Sequence, residues 1–337
     1  MISSQRVDKE EPMTSRPAVT PALLEEYCTK FRNWGRWGPE DELGTLNFIT
    51  REVIKRAAGL VRQGKVISCA LPFDANGPQT GAFGRVNPLH SMVATGTDHA
   101  AGRQKPGGFE AAPFGWGFAD DQVTMFLQCG TQWDGLGHIF HHGKMYGGRD
   151  ATLVSSSGAA RNGIEHYKDR IVSRGVLLDV ARFKGVDALG PGEAIYAEDL
   201  DGCAAKEKVT VGAGDIVLIR TGDVGRRLRE RSWGTFSAGD APGLSFLSAP
   251  WLHGKQIAGI ASDTWGAEVR PNELPGSFQP LHLVMVVNMG LLVGEIFDLE
   301  ALGEDCARDG VYEFMFVAPP LPITRAVGSP INPQAIK

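Results

Sequence analysis

The chain has 337 residues, of which 42% are hydrophobic and 22% charged, and a formal net charge of −5. That composition supplies a large core and excludes disorder as the main state. The acidic balance offers no basic face to a nucleic acid, and no stretch reaches the roughly 18 apolar residues a membrane-spanning helix needs.

Residues 1–20 mix Ser, Pro and charged side chains without an apolar leader-like run. They are expected to form a flexible tail ahead of a single domain over 21–337, in a cytoplasmic protein. Five scattered cysteines without a C-x-x-C spacing fit reduced thiols rather than a disulfide framework. In chain order, Leu23, Leu24, Tyr27 and Phe31 share one side of a helix over Pro21–Phe31. An aromatic-rich turn follows at Asn33–Asp41. Thr50 is an N-cap for a helix over Arg51–Gln63, ended by Gly64, and Lys65–Leu71 is a strand. Residues 74–121 are rich in Gly and Pro and read as a long loop region, which in a compact domain is functional or mobile. Strands are then expected at Val123–Leu127, Gly175–Val180, Asp215–Arg220 and Ile257–Ser262. Segments of helical character fall at Ala197–Lys206 and Ser248–Lys255. The apolar run Leu283–Val293 fits a helix, a strand, or one after the other. With no repeat and no composition break, the pattern is that of one α/β domain around a mixed sheet.

Chemistry concentrates in two places. The first is Gln128-Cys129-Gly130-Thr131-Gln132-Trp133-Asp134, followed by His138, His141 and His142. In a strand Gln128, Gln132 and Asp134 share one parity and Cys129 and Trp133 the other. Full extension would hold residues 128 and 132 roughly 13 Å apart, so a bend at Gly130 is needed if both reach one site. A glycine-rich loop with surface histidines is the plainer alternative. The second is His282 followed by Glu295 in an otherwise apolar stretch. A carboxylate there is costly unless paired or bound to a metal. One imidazole with Asp134 and Glu295 is a sensible donor set for a divalent cation.

These residues carry a family resemblance. Gly130-Thr131-Gln132-Trp133-Asp134 with His138 resembles the signature H-x-G-T-H-x-D-x-x-x-H of the cyclase superfamily, which includes kynurenine formamidase and isatin hydrolase. Further pieces follow in order: Val176–Val180 resembles an LLD strand, Ile219–Gly222 an RTG turn, and Ile260–Thr264 a GIDT strand end. The opening Asn33–Pro39 and Leu43–Asn47 resemble a longer branch of the superfamily. The resemblance covers residues 33–305. It implies a swivelling β/β/α arrangement, hydrolysis of a small amide, lactam, lactone or ester by metal-activated water, and pairing as a homodimer.

The resemblance also places Asp134, His282 and Glu295 as metal ligands. Both histidines of the H-x-G-T-H portion are glutamines here, Gln128 and Gln132, which implies one bound divalent ion, Mn²⁺ or Zn²⁺, rather than two. His138 is expected as general acid/base because an imidazole titrates near the working pH, with Gln132 and Gln128 orienting water or substrate. Candidate substrate contacts are His90 and His99 in the loop region, near Asp98, and Trp34. His166 and His253 are read as structural. Three rival readings stand beside this one. A non-catalytic binder of a small molecule would have lost its metal site. A Cys129 nucleophile would need an orienting Asn or Asp for its histidine. A nicotinamide oxidoreductase would need a G-x-G-x-x-G motif that the chain lacks.

Overall fold

The computed structural model describes residues 16–108, 110 and 113–337. Its centre is a nine-stranded mixed sheet. We number the strands used here in chain order: β1 (Val66–Ser68), β2 (Leu89–Ala94), β3 (Asp120–Thr124), β4 (Gln132–Asp134), β5 (Val172–Asp179), β6 (Ile216–Arg220), β7 (Gly259–Ser262), β8 (Leu292–Glu295), β9 (Glu313–Val317), β10 (Gly328–Pro330) and β11 (Gln334–Ile336). The sheet order is β1-β11-β9-β5-β6-β7-β8-β4-β10. Strands β5, β6, β7 and β8 are parallel neighbours, and the flanking pairs are antiparallel. The parallel strands read as near-continuous apolar runs because both faces are covered, and every residue of β6 and β7 is buried.

The sheet is curled. β10 lies at one end of the strand order and β11 next to the other, yet only residues 331–333 join them. Four Cα steps span at most about 14 Å, so the two ends must approach each other. Bonds from Cys69 N–H to the Pro333 carbonyl and from Asp298 N–H to the Cys69 carbonyl help close the gap.

Several expected boundaries move. The first helix runs Pro21–Lys30, capped by Thr20. The second is Arg51–Ala58, shorter than Arg51–Gln63, because the chain turns off after Gly59 and hands the N–H groups of Gln63 and Lys65 to the Lys337 carbonyl. The first sheet strand shrinks to β1 because the chain changes partner after Ser68, with Cys69 N–H on the Pro333 carbonyl and Ala70 bridging Phe297. The strand expected at Val123–Leu127 lies at Asp120–Thr124. It pairs with β2, which lies in the supposed long loop, and the register ends at Leu89 opposite Thr124, directly after Pro88. Residues 1–15 of the expected tail lie outside the described residues. Residues 16–20 are packed: Arg16 bonds Glu198 and stacks on Tyr196, and Val19 is buried. The apolar run before Glu295 resolves into a π-helix over Leu283–Met289 followed by β8.

Candidate metal centre

Across the antiparallel β4–β8 pair, Gln132 stands opposite Glu295 and Asp134 opposite Val293. Opposed residues, and residues two apart on one strand, project to the same face. Gln132, Asp134 and Glu295 therefore share a face as a consequence of register. The alternate positions point the other way. Trp133 is fully buried, donates Nε1 to the Ala318 carbonyl at 2.8 Å, and packs over Gly294, where a Cβ would sit 2.4 Å from the indole.

The imidazole arrives from another element. Gln279 at φ +48° turns the chain into Pro280–His282, which runs on into the π-helix. Such wide turns are rare and concentrate at functional sites. Glu268 fixes the segment by accepting the N–H groups of Leu281 and His282 at 3.1 and 3.0 Å and by facing His282 Nδ1 at 2.6 Å. With Nδ1 held, His282 Nε2 faces Glu295 Oε1 at 3.2 Å. One ligand-type atom each from Asp134, His282 and Glu295 lie within 4.8 Å of one another, and all three residues are buried. The spacing suits one ion with bonds of about 2.0–2.2 Å.

The local charge also fits a cation. Asp134, Glu268 and Glu295 are at most 5% exposed, and the fully buried imidazole among them is that of His282, with His138 and the part-exposed Arg85 at the cavity wall. Burial, reinforced by the neighbouring Asp134, pushes the Glu295 carboxyl up to about 7. Burial opposes charge on His282, but its bonds to Glu268 and Glu295 outweigh that and hold it up at about 10. Buried negative charge thus exceeds positive charge, an arrangement a divalent ion would balance. Gln132 Nε2 donates to Glu295 Oε2 at 3.0 Å and to Asp134 Oδ1 at 3.4 Å, while its Oε1 is buried without a partner. That orphaned acceptor beside two carboxylates suits a cation too.

Directly after Glu295, Ile296 sits at φ +60°, a rare conformation for a β-branched residue. Its N–H bonds the Thr264 carbonyl at 3.0 Å and its carbonyl accepts from Thr131 Oγ1 at 2.6 Å. The surrounding bonds hold a strained turn directly beside Glu295. Behind it, Asp263 accepts from Thr221 N–H, Thr221 Oγ1 and Gly222 N–H, all at 2.7 Å, tying the ends of β6 and β7 together.

A cavity of about 210 Å³ opens on Asp134 and Glu295 and is walled by Phe83, Arg85, His138, Trp265 and Phe278. A larger cleft at Arg227 and Trp233 lies away from these groups. His138 Nε2 is 3.9 Å from Asp134 Oδ1, and burial keeps its pKa below the ordinary histidine value. The rings of Phe83 and Trp265 stack at 5.9 Å with an 11° interplanar angle, and Phe278 meets both.

Of the residues singled out in the sequence, Asp134, His282, Glu295, Gln132 and His138 come together here. Gln128 does not line the cavity; its amide lies against Gly328. His90 pairs with Asp121 at 2.8 Å on the exposed hairpin, His99 packs by Gly117, and Asp98 caps a short helix at Thr95. Trp34 donates to the Val287 carbonyl at 2.7 Å. Within one chain, none of these is a cavity residue. His166 lies 3.3 Å from Glu42 and His253 packs on Phe31. Cys129 is buried, which pushes its thiol up to about 11 and leaves it protonated and a poor nucleophile near neutrality. The sequence reading missed Glu268, Arg85, Phe83, Trp265 and Phe278. None of them carried a signal in the sequence: Glu268 sits among Asp263, Arg270 and Glu273, as an ordinary polar segment does.

Fold and site together define a single α/β domain with a curled mixed sheet and a buried carboxylate–imidazole cradle at its β4–β8 edge. The family model described as "Putative cyclase" matches residues 56–269, and the chain belongs to that cyclase family. A solved structure described as a novel cyclase shares 39% identity, with 92% of this chain and 99% of that one covered and a TM-score of 0.81. An isatin hydrolase bound to the product analogue thioisatinate shares the fold at 18% identity, covering 85% and 98%, with a TM-score of 0.55. A "predicted metal-dependent hydrolase" from Bacillus stearothermophilus does so at 16% identity, covering 80% and 97%, with a TM-score of 0.50. No curated protein matches the chain. No helix among the described residues is long and apolar enough to cross a membrane.

Proposed function

We propose that the protein is a metal-dependent hydrolase of a small amide, lactam, lactone or ester. The observation that carries this reading is the convergence of Asp134, His282 and Glu295 within 4.8 Å at a cavity that also holds His138. Asp134 and Glu295 would supply carboxylate oxygens and His282 its Nε2. A divalent ion held there would polarise a carbonyl and acidify water. His138, kept neutral by burial, is able to take up a proton at Nε2. Gln132 locks the two carboxylates in place. The stacked aromatic wall supports a planar substrate, and Arg85 supports one that carries or develops negative charge. Two carboxylates with one imidazole favour a single ion, with a harder metal such as Mn²⁺ preferred over Zn²⁺. The exposed apolar residues Leu89, Met92, Val93 and Val123 of the β2–β3 hairpin support a homodimer.

Elemental analysis of the purified protein, with a panel of lactones, lactams and aryl formamides, tests the proposal. Hydrolysis that disappears on chelation and in Asp134→Asn is expected. Full activity after removal of all metal would overturn it. A metal-loaded protein that binds but never turns over the panel would favour the binding-protein reading.

A further inference from the structure

A second cluster of ligand-type side chains lies outside the cavity. The helix Pro21–Lys30 carries Glu25, and the loop after β4 carries His141 and His142. Glu25 Oε1 is 3.0 Å from His142 Nε2 and 3.4 Å from His141 Nε2. The two imidazole centroids are 4.0 Å apart, and the three ligand-type atoms lie within 4.8 Å of one another. A tetrahedral ion with bonds of about 2.0–2.1 Å needs neighbouring ligand atoms about 3.3–3.4 Å apart. Both oxygen–nitrogen distances are within a few tenths of an ångström of that value.

A two-residue turn, closed by hydrogen bonds exchanged between the backbones of His141 and Lys144, makes this convergence possible. Successive side chains on an extended segment point to opposite sides. Here His142 adopts φ +49° and Gly143 φ +70°, a left-handed turn that side-chain-bearing residues rarely make, and both imidazoles reach the same carboxylate oxygen. Only the His142 contact has hydrogen-bond geometry; His141 stands at 3.4 Å from the same oxygen, the separation of two ligands on one ion rather than of a donor and its acceptor. The side chain of His141 is 14% exposed, against 55% for Glu25 and 74% for His142, which leaves the remaining coordination position to water. Arg32 is a neighbouring cation, but its guanidinium is engaged with Asn288 Oδ1 at 3.1 Å and lies over the Trp34 ring at 4.1 Å.

We propose that Glu25, His141 and His142 form a surface site for a borderline divalent cation of the zinc class, clipping the first helix to the loop that carries His138. Two imidazoles and one carboxylate suit Zn²⁺, Ni²⁺ or Cu²⁺ better than the harder ions favoured by the buried cradle. The two sites are thus distinguishable by ion as well as by place.

The test uses the full, tag-free chain. Zn²⁺ is titrated calorimetrically into the wild type, His142→Ala and Glu25→Gln, with Asp134→Asn as the variant of the buried cradle. Each surface variant is expected to bind one zinc fewer per chain, or to bind it weaker by at least the roughly tenfold that loss of an outer partner of a ligand costs. Asp134→Asn is expected to keep that event. Zinc should raise the unfolding midpoint of the wild type and of Asp134→Asn by this increment, and the surface variants should lack it. Wild-type zinc stoichiometry and affinity in either surface variant would overturn the proposal. Catalysis is not read out, so failure here leaves the hydrolase reading untouched, and the reverse also holds.

Discussion

Gln132 Nε2 donates to Glu295 Oε2 at 3.0 Å, joining residues 163 positions apart in the chain. An amide so placed is a positioning group: it fixes the carboxylate that faces His282 and leaves its own oxygen free. Gln132→Ala is expected to weaken metal retention about 10–100-fold, the usual cost of losing an outer partner of a ligand. Equilibrium dialysis against a competing chelator measures it, and unchanged retention would remove Gln132 from the site.

His138→Asn should separate binding from chemistry. The substitution keeps a polar group at the cavity wall and removes the titrating nitrogen. A fall in kcat of about 10²–10⁴-fold with metal content unchanged is expected, read by steady-state kinetics beside elemental analysis.

Metal uptake should depend on pH. His282 keeps its proton to about 10 and Glu295 to about 7 in the metal-free chain, so an ion must displace protons to bind. Affinity should rise by about tenfold per pH unit for each proton released between pH 6 and 8. Stability of the metal-free chain should run the other way. Both groups bind protons more tightly folded than unfolded, so their contribution is full at low pH. It is lost as pH rises through about 7 for Glu295 and about 10 for His282. Chelator-treated protein should therefore melt lower at pH 9 than at pH 6, and a flat profile would contradict the assignment.

Gly294→Ala tests the packing beneath the cradle. The new methyl would meet Trp133 at 2.4 Å and Ala261 and Phe297 at 2.8 Å. Overpacking of this kind costs about 1–3 kcal/mol, measurable by denaturant titration. A neutral result would mean that β8 can shift away from Trp133.

Phe83→Ala removes one side of the aromatic wall, at a residue that is itself 65% exposed. For a planar substrate, KM should rise several-fold while kcat changes little, the signature of lost uniform binding. A fall in kcat with KM unchanged would place Phe83 in the chemistry instead.

The parallel strands were legible because doubly buried strands read as unbroken apolar runs, as in Val176–Leu178 and Ile216–Ile219. The pairing of Glu295 was legible because an acid within an apolar run demands a partner, here His282 and Gln132. The cavity wall was not. Phe83 and Arg85 lie in a segment with no periodicity, and their position depends on contacts with Trp265 and Phe278, far along the chain. Gln128 and Gln132 looked equivalent by parity. The turn through residues 127–131 separates them, and only Gln132 enters the strand. The β2–β3 hairpin was read as loop because both strands are largely exposed and lack an alternating apolar pattern.

Strand β4 has no neighbour close to it in sequence: it is flanked by β8 and by β10. During synthesis, Asp134 therefore emerges long before the side chains that face it, since His282 and Glu295 follow 148 and 161 positions later. A ribosome-bound chain that has not yet reached residue 295 has no complete cradle. An ion held by all three must arrive after strand β8 is made, as a late seal on an assembled sheet edge rather than as a seed for folding.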